Sequence, residues 1–527
     1  MLSYRQPALS PFRRLTPLCV YNDQSCHMNT LAETSKRMSP PPLRAHCQEV
    51  DSFYHLAGNP LVNAASQGTA CFVARHLDRP RWETACAQSP RVHCLGKCYA
   101  APAAVADNIS RPPVAIRSSE SIVLGRLAKG GARSLSAYRE LGGYLALETA
   151  LRRPREEILR AVENSELRGR GGAGFPAGRK WRAVFNQSAA EKFVVANADE
   201  GDAGAYIDRF LLEDDSHGLI EAMAIAGYAV GASKGWIYLR KEYPAAQASL
   251  ERALAEARQA GLLGEPVFNT DFRFDIELLI GQGSYVCGEE TALLNSIEGR
   301  RPEVRARPPF PTEHGLYGQP TVVNNVETFV NIPWIVAHGA DAYRSLGFSK
   351  SRGTKVVSLN SLFNRPGLYE VEFGVTVRHI VEDLGGGLRS GKLKGVIIGG
   401  PLAGIIPPHL LDTPFGFEEL HAIGASVGHG GVIAFDQHTS IASLMRHVFA
   451  FGAYESCGKC TPCRLGSRFV EQVFAEILQN GAVNFQDFER VISALRLASL
   501  CGLGTGLAEF AESALRHYGK ELESCWR

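Results

Sequence analysis

From Ala150 onward, apolar positions recur at helical spacing through ALRRPREEILRAVENSEL, and the run predicts an amphipathic helix. EKFVVANADEG then reads as a strand ending in a turn, LIEAMAIAGYAVGA as a helix and GWIYLRKE as a strand. AAQASLERALAEARQAG follows as a helix and FRFDIELLIG as a strand. Alternation of this kind predicts an open α/β sheet with helices packed on it, whose ligands bind beyond the carboxyl ends of the strands. Between Thr354 and Thr439 the texture changes to TKVVSLN, GLYEVEFGVTV, VRHIVEDLGG and KGVIIGG. Short strands around one short helix predict a compact α+β module. After Thr439, IASLMRHVFAFGAYESCGKC, SRFVEQVFAEILQN and FQDFERVISALRLASLCGLG are all helix-compatible, which predicts a terminal helical bundle. Upstream, ACFVARHL and RVHCLGKCYAAPAAV read as part of a small α/β unit, and ISRPPVAIRSSE reads as a linker. Residues 1–55, rich in Pro, Ser and Arg and without sustained periodicity, read as a disordered tail.

Composition narrows the function classes. Of 527 residues, 45% are hydrophobic and 21% charged, the balance of a globular chain. A net charge of +2 leaves no global field to recruit nucleic acid or an anionic membrane. No stretch approaches the roughly 18 apolar residues of a membrane span; the run Leu219 to Val230 is interrupted by Glu221. The opening MLSYRQPALSPFRRL has no apolar core behind its basic residues, so a secretory signal is not expected. The Arg-containing, acid-poor start loosely resembles a transit segment, with a plain extension, or a start at Met28 or Met38, as the simpler account. Thirteen cysteines, three of them crowded at Cys457, Cys460 and Cys463, point to metal or cluster ligation in a reducing compartment, and the chain reads as cytoplasmic.

The strongest local signal is ESCGKCTPCR, a C-x2-C-x2-C run joined later by Cys501 in SLCGLG. Three thiolates from one tight turn suit three corners of an iron–sulfur cube and a distant fourth closes it, whereas structural zinc takes two separated pairs; the pattern favours a 4Fe-4S cluster over zinc. In ELRGRGGAGFPAGRKW, Gly169, Gly171 and Gly174 satisfy G-x-G-x-x-G, but the motif follows a helix-like segment instead of a strand, which disfavours the usual dinucleotide turn. What is left is a backbone that a flat or phosphorylated ligand can approach, with Arg170, Arg179 and Lys180 able to meet negative charge, or else a structural glycine turn. ANADEGDAGAYIDR delivers Asn197, Asp199, Glu200 and Asp202 at a strand end, suited to nucleotide hydroxyls and ring N–H groups, to a metal, or to solvent. GQGSYVCGEETALLNSIEGRRP sets Tyr285, Glu289 and Glu290 at a helix start, where carboxylates also favour the dipole. Arg307 and Phe310 offer a cation and an aromatic ring to a phosphate-bearing adenine. Asn324 and Asn325 in TVVNNVET can bond phosphate or cap a helix. Cys287 reads as core filling, and His217, His314 and His429 as ordinary histidines; neither a Ser-His-Asp nor an H-E-x-x-H arrangement occurs.

Together, RGRGGAGFPAGRKW, NADEGDAG, YVCGEETALLNSIEGRRP, PPFP, NNVET and ESCGKCTPCR resemble the family of flavin-bearing, NADH-oxidising subunits of respiratory complex I, which includes diaphorase subunits of NAD-reducing hydrogenases and of molybdenum or tungsten formate dehydrogenases. The resemblance runs from about 140 to 520. It implies a Rossmann-like FMN/NAD domain over 119–345, a ubiquitin-like module over 346–440, a four-helix bundle holding one 4Fe-4S cluster over 441–527, and a truncated thioredoxin-like piece over 56–118. It implies FMN on Gly169, Arg170, Gly171, Lys180, Asn197, Asp199, Tyr285, Gly288, Glu289, Asn324 and Asn325. NAD(H) then falls to Phe175, Glu290, Arg307 and Phe310, catalysis to Glu200 and Asp202, and the cluster to Cys457, Cys460, Cys463 and Cys501. Two positions depart from complex I members: Asp202-Ala203 stands where Glu-Pro is common, and Ala183 replaces an adenine-packing aromatic. The N-terminal piece resembles a thioredoxin-like 2Fe-2S protein in which Cys71, Cys94 and Cys98 match three ligands and Ser66 stands for the fourth, so no 2Fe-2S cluster is expected there. That depleted piece resembles the beta subunit of an NAD-dependent formate dehydrogenase, implying a large molybdenum or tungsten alpha subunit and a small 2Fe-2S gamma subunit as partners. A bidirectional hydrogenase diaphorase comes second and complex I third.

Overall fold

The computed structural model describes residues 54–57, 61, 64–88, 91–479 and 481–526, so all of the tail expected over residues 1–55 except Tyr54 and His55 lies outside the described residues. A first sheet holds four parallel strands in the order Asp275–Gly281, Lys234–Arg240, Phe193–Ala198 and Thr321–Asn325. Both faces are covered, which is why FVVA in Phe193–Ala198 carries an unbroken apolar run instead of an alternating one. The chain leaves Phe193–Ala198 toward one side and returns to its other side with Thr321–Asn325. The strand order thus reverses between these two paired neighbours, and the crevice outside the carboxyl ends at such a switch point is where open α/β sheets take ligands.

Behind the sheet lies the helix Ser216–Val230, buried at every position except Tyr228 and ended by Gly231 at φ 80°. The Glu221 that interrupts its apolar run accepts hydrogen bonds from the Tyr138 hydroxyl (2.5 Å) and the Tyr144 and Leu147 amides (3.0 Å each), so it caps the neighbouring helix Leu145–Leu151. The single helix expected from Ala150 to Leu167 is instead two, Leu145–Leu151 and Arg155–Asn164, with Pro154 at the break. Proline disfavours helical geometry in the residue before it and supplies no N–H, so it starts the second helix instead of continuing the first.

A second, six-stranded sheet runs in the order Ile405–Ile406, Leu393–Ile398, Gly431–Asp436, Thr354–Leu359, Leu368–Glu372 and Val114–Ile116. Its last strand corrects the reading of ISRPPVAIRSSE as a linker: Val114, Ala115 and Ile116 pair in parallel with Leu368, Tyr369 and Glu370. A short apolar triplet after Pro112-Pro113 fits an edge strand, and Glu370 then collects the amides of Ile122, Val123 and Leu124 at 2.9–3.0 Å. The terminal bundle comprises Ile441–Glu455, Thr461–Ile477, Phe485–Ala498 and Gly502–Leu522 around Phe449, Phe474, Phe488 and Leu507. Gly452 lets its helix approach the last one, since a Cβ there would stand 2.5 Å from the Leu507 side chain. Among the described residues no helix is long and apolar enough to cross a membrane. The N-terminal piece pairs Ala65–Ser66 in parallel with Arg91–Val92, with the helices Thr69–Ala74 and Arg79–Gln88 between them.

Candidate functional site

At the switch point the ends of adjacent strands are locked by side-chain amides. Asn197 Nδ2 donates to the Gly288 carbonyl (2.8 Å), tying its strand to the turn Tyr285–Gly288, and Asn324 Oδ1 accepts from Trp181 Nε1 (3.1 Å). Asn325 Oδ1 accepts from the Thr328 amide and caps the helix Val326–Val330, while its Nδ2 donates to Asp208 (2.6 Å). Of the two roles open to Asn325 in the sequence, the cap is the one its carbonyl takes.

The glycine turn lies against this edge, between two helices. A Cβ on Gly171 would stand 2.8 Å from Asn325 Cβ, so only glycine allows the approach, whereas Gly172, at φ 128°, would point a Cβ into open space. The turn opens the helix Ala177–Phe185, whose Lys180 Nζ bonds Glu290 (2.8 Å) and the Val323 carbonyl (3.0 Å). Arg307 meets the other Glu290 oxygen at 3.1 Å, so Lys180, Glu290 and Arg307 form one charged chain. Burial opposes it, but Lys180 and Arg307 hold the Glu290 carboxyl below its ordinary range. Phe175 and Phe310, 51% and 50% exposed, precede two helices that pack together, Ala177–Phe185 and Pro311–His314.

Arg170 requires a correction. Its guanidinium, expected to meet negative charge, is fully buried and donates to the Tyr343 hydroxyl and the Arg352 carbonyl (2.8 Å each) while lying over the Phe373 ring. Its guanidinium also donates to the Arg168 carbonyl (3.2 Å), and its backbone N–H donates to Thr328 Oγ1 at 2.8 Å.

The segment after Ala198 turns most of its acids inward. Glu200 accepts the amides of Ile207 (2.7 Å), Asp208 (3.1 Å) and Arg209 (3.0 Å) and the Tyr243 hydroxyl (3.0 Å), capping the helix Ile207–Asp214. Its carboxylate is consumed by that cap, which makes it a positioning group. Asp202 accepts from the Tyr285 hydroxyl (2.7 Å) and sits over Gly400, where a Cβ would come within 2.9 Å of the carboxylate. Burial raises its carboxyl.

His429, ordinary by its place in the sequence, is not ordinary in the fold. It lies between Asp208 (Nε2, 3.0 Å) and Glu200 (Nδ1, 3.5 Å), buried, and despite that burial the Asp208 and Glu200 carboxylates push it up to about 9. Burial and Asp208 push Glu200 up to about 7. Asp208 and His429 stand 221 positions apart, so no spacing announces the group. A histidine raised from 6.5 to about 9 contributes stability that is complete below pH 6.5 and is lost as pH rises through 9. We expect the melting temperature to fall between about pH 7 and pH 9.5 and His429→Asn to flatten that fall. An equally steep profile in the variant would show that His429 is not the titrating group.

Cys460 is the N-cap of Thr461–Ile477 and Cys501 the N-cap of Gly502–Leu522, so two helix N-termini carry thiols toward one place. Cys463 lies one turn into the first helix, and a Cβ on Gly504 of the second would meet its Cβ at 3.3 Å. Cys457 shares a small apolar cluster with Val286, Ala292 and Cys501, which joins the thiols to the Tyr285–Gly288 turn. A tetrahedral zinc ion would hold thiolates about 3.8 Å apart. Among the described residues Glu200, Asp208 and His429 alone bring three ligand atoms within 4.8 Å of one another, so no three thiols do. Four thiols gathered at wider spacing fit a cube, whose irons each take one thiolate at a separate corner. For the flavin, Asp199 Oδ2 and Glu289 Oε1 are buried without a hydrogen-bond partner although the other Glu289 oxygen caps Glu290–Ile297. Carboxyl oxygens left without a hydrogen bond beside Gly288, with Arg307 Nη1 3.8 Å from Glu289 Oε1, are what a ring bearing N–H groups and hydroxyls requires.

In the N-terminal piece Cys94 and Cys98 Sγ atoms lie 3.5 Å apart, and both sulfurs accept backbone amides, Gly96 at 3.3 Å and Gly204 at 3.2 Å. Arg240 joins this piece to the first sheet by donating to the Cys94 carbonyl.

Family models match in two places: the Nuo51 FMN-binding domain over residues 162–334 and the NADH-ubiquinone oxidoreductase-F iron-sulfur binding region over 443–525. The HndC component of the NADP-reducing hydrogenase of Solidesulfovibrio fructosivorans is 42% identical over 395 residues, 74% of this chain and 80% of that protein. The second F-type component of the NADH-quinone oxidoreductase of Rhizobium meliloti is 40% identical over 76% of this chain and 97% of its own length. Its F-type counterpart in Escherichia coli is 40% identical over 74% of this chain and 89% of its own length. Among solved structures, a chain of an NAD+-reducing NiFe hydrogenase in the H2-reduced state aligns over 94% of this chain and 89% of its own, with a TM-score of 0.78 and 31% identity.

Proposed function

The chain belongs to the family of NADH-dehydrogenase-type subunits that carry FMN and a 4Fe-4S cluster, and on that premise we propose that it is the NAD(H)-binding diaphorase subunit of a formate dehydrogenase complex. When bound, FMN exchanges a hydride with the nicotinamide and single electrons with an iron–sulfur cluster. The residues of this chain supply position and charge. Gly169 and Gly171 give the flavin a bare backbone, the Arg170 backbone continues it, and Asn197, Asp199, Gly288, Glu289 and Asn324 present amide and carboxyl groups to it. Lys180 anchors the phosphate side and orients Glu290, which with Arg307 holds the adenine ribose and its phosphates. Asp202, fixed by Tyr285, faces the nicotinamide end. Glu200 shapes the loop from which Asp199 and Asp202 project. Cys457, Cys460, Cys463 and Cys501 hold the cluster.

The single observation that carries the reading of a chain passing electrons between flavin and cluster is the wall the two assigned sites share: Val286 and Ala292, on either side of Gly288 and Glu289, pack against Cys457 and Cys501. Formate as the electron source is supported by the N-terminal piece, which has three of four ligand positions and Ser66 at the other. The alternative, a hydrogenase diaphorase, is favoured by the extent of likeness to the NiFe hydrogenase chain, which covers 94% of this chain. Relatives named as subunits of hydrogenases and quinone oxidoreductases support partner subunits in either case. Purification of the native complex with analysis for molybdenum, tungsten and nickel decides between them. Molybdenum or tungsten with formate-dependent NAD+ reduction upholds the proposal, whereas nickel with hydrogen-dependent reduction replaces formate by hydrogen.

The adenine contacts yield a separate expectation. A base stacked on an aromatic ring is worth about 1–3 kcal/mol, so Phe310→Ala should raise KM for NADH by roughly tenfold with kcat and FMN content little changed. An unaltered KM would remove Phe310 from the adenine site.

A further inference from the structure

A cavity of about 30 Å3 lies where the N-terminal piece, the first sheet and the bundle meet, with His55, His93, Asp199, Arg240, Glu242 and Ser284 among its walls. Liquid water occupies about 30 Å3 per molecule, so at least one ordered water fits. Asp199 Oδ2, Glu242 Oε2 and Ser284 Oγ are buried and have no hydrogen-bond partner within the protein. A polar cavity of sufficient size with several unsatisfied groups is the setting in which proteins keep internal water. Burial, opposed by Arg240 and helped by the charges of Glu242 and Glu455, raises the Asp199 carboxyl well above its ordinary range. The same oxygen, Oδ2, lies near Gly288, where a Cβ would stand 3.8 Å from it. Asp199 thus stands between the cavity and the turn to which the flavin is assigned.

We propose that this cavity holds an ordered water joining Asp199, Glu242 and Ser284, and that Asp199, the water and Glu242 form the proton path of the electron-converting reaction. The inference rests on the reading under Proposed function. Oxidation of NADH by one-electron carriers yields NAD+, two electrons and one proton: the electrons leave singly toward the cluster, and the proton leaves by this path. In NAD+ reduction the same path admits one proton with the two electrons. Its outer end lies close to the surface: the side chains of Glu242, His93 and His55 are 9%, 12% and 16% exposed. Glu242 Oε1 is held by Arg240 Nη2 at 2.6 Å, which leaves Oε2 for the water.

The test uses the FMN-loaded complex as wild type, Glu242→Gln and Ser284→Ala. A crystal structure that resolves waters should show one within hydrogen-bond distance of Asp199 Oδ2 and Glu242 Oε2. Rapid reduction of the flavin by NADH without an acceptor should be unchanged in Glu242→Gln, because that step moves a hydride and no solvent proton. Turnover with ferricyanide should fall about tenfold with a larger solvent deuterium isotope effect, and Ser284→Ala should change both in the same direction by less. A dry cavity overturns the proposal, as do wild-type turnover and isotope effect in both variants. If Glu242→Gln does not fold because Arg240 loses its partner, Ser284→Ala, which alters no charge, decides by the same readouts. Failure of NADH to reduce the flavin of the wild-type complex would instead strike the functional reading, and it is seen before any variant is made.

Discussion

Replacing Cys501 by alanine is expected to abolish the 4Fe-4S cluster and electron delivery to partner subunits while FMN binding and NADH:ferricyanide turnover persist. Three thiols arrive together from the Cys457–Cys463 turn, but the fourth comes from the N-cap of another helix, so its loss opens one corner of the cube and leaves the other three in place. The Cys501 side chain makes no cap hydrogen bond to its helix, but loss of a largely buried thiol still has to be separated from loss of a ligand. Cys501→Ser does this, because serine caps well and ligates iron poorly. Cluster iron and its reduced-state paramagnetic signal should be lost in both variants, and the serine variant, which can accept an amide at the N-cap, should melt no lower than the alanine variant. Undiminished iron in either would take Cys501 off the ligand set.

Lys355→Met should cost about 3–5 kcal/mol of stability, the largest effect expected from any single change away from the ligands. Lys355 and Glu327 are both fully buried and form an ion pair, with Lys355 Nζ also donating to the Val356 and His429 carbonyls (3.0 and 2.8 Å) and Glu327 accepting the Val356 amide (2.9 Å). Removing the lysine leaves a buried carboxylate without its cation, and the penalty is desolvation that nothing offsets. The pair links the second sheet to the helix Val326–Val330 that Asn325 caps, so FMN retention should weaken along with stability. The double change Lys355→Met with Glu327→Leu removes both charges and should recover most of the lost stability in thermal denaturation. A single variant that melts as wild type does would refute this account of the pair.

Several elements are legible without coordinates because their causes are local. The helices at 216–230 and 244–259 and the strands at 193–198, 234–240 and 275–281 follow from periodicity, and the cluster thiols from a spacing that one turn must satisfy. The break at Pro154 is equally local, yet the apolar pattern runs through it and hides it, although proline's steric rule outranks the pattern. The strand Val114–Ile116 is hidden for a different reason: three residues carry too little pattern to distinguish an edge strand from a linker, and pairing with Leu368–Glu372 is what makes them a strand.

Order along the chain is enough to tell which residue types are present for flavin, nucleotide and cluster chemistry and how the elements that carry them succeed one another, since composition and periodicity are properties of sequence neighbours. How each polar group is used is settled by folding alone. Packing turns Arg170 and Glu200 inward, traps His429 between two carboxylates from a distant segment, and leaves Asp199, Glu242 and Ser284 facing one small cavity. Whether a side chain meets a ligand, a backbone amide or water depends on which surfaces are buried against each other, and burial is set by long-range packing that no local pattern encodes.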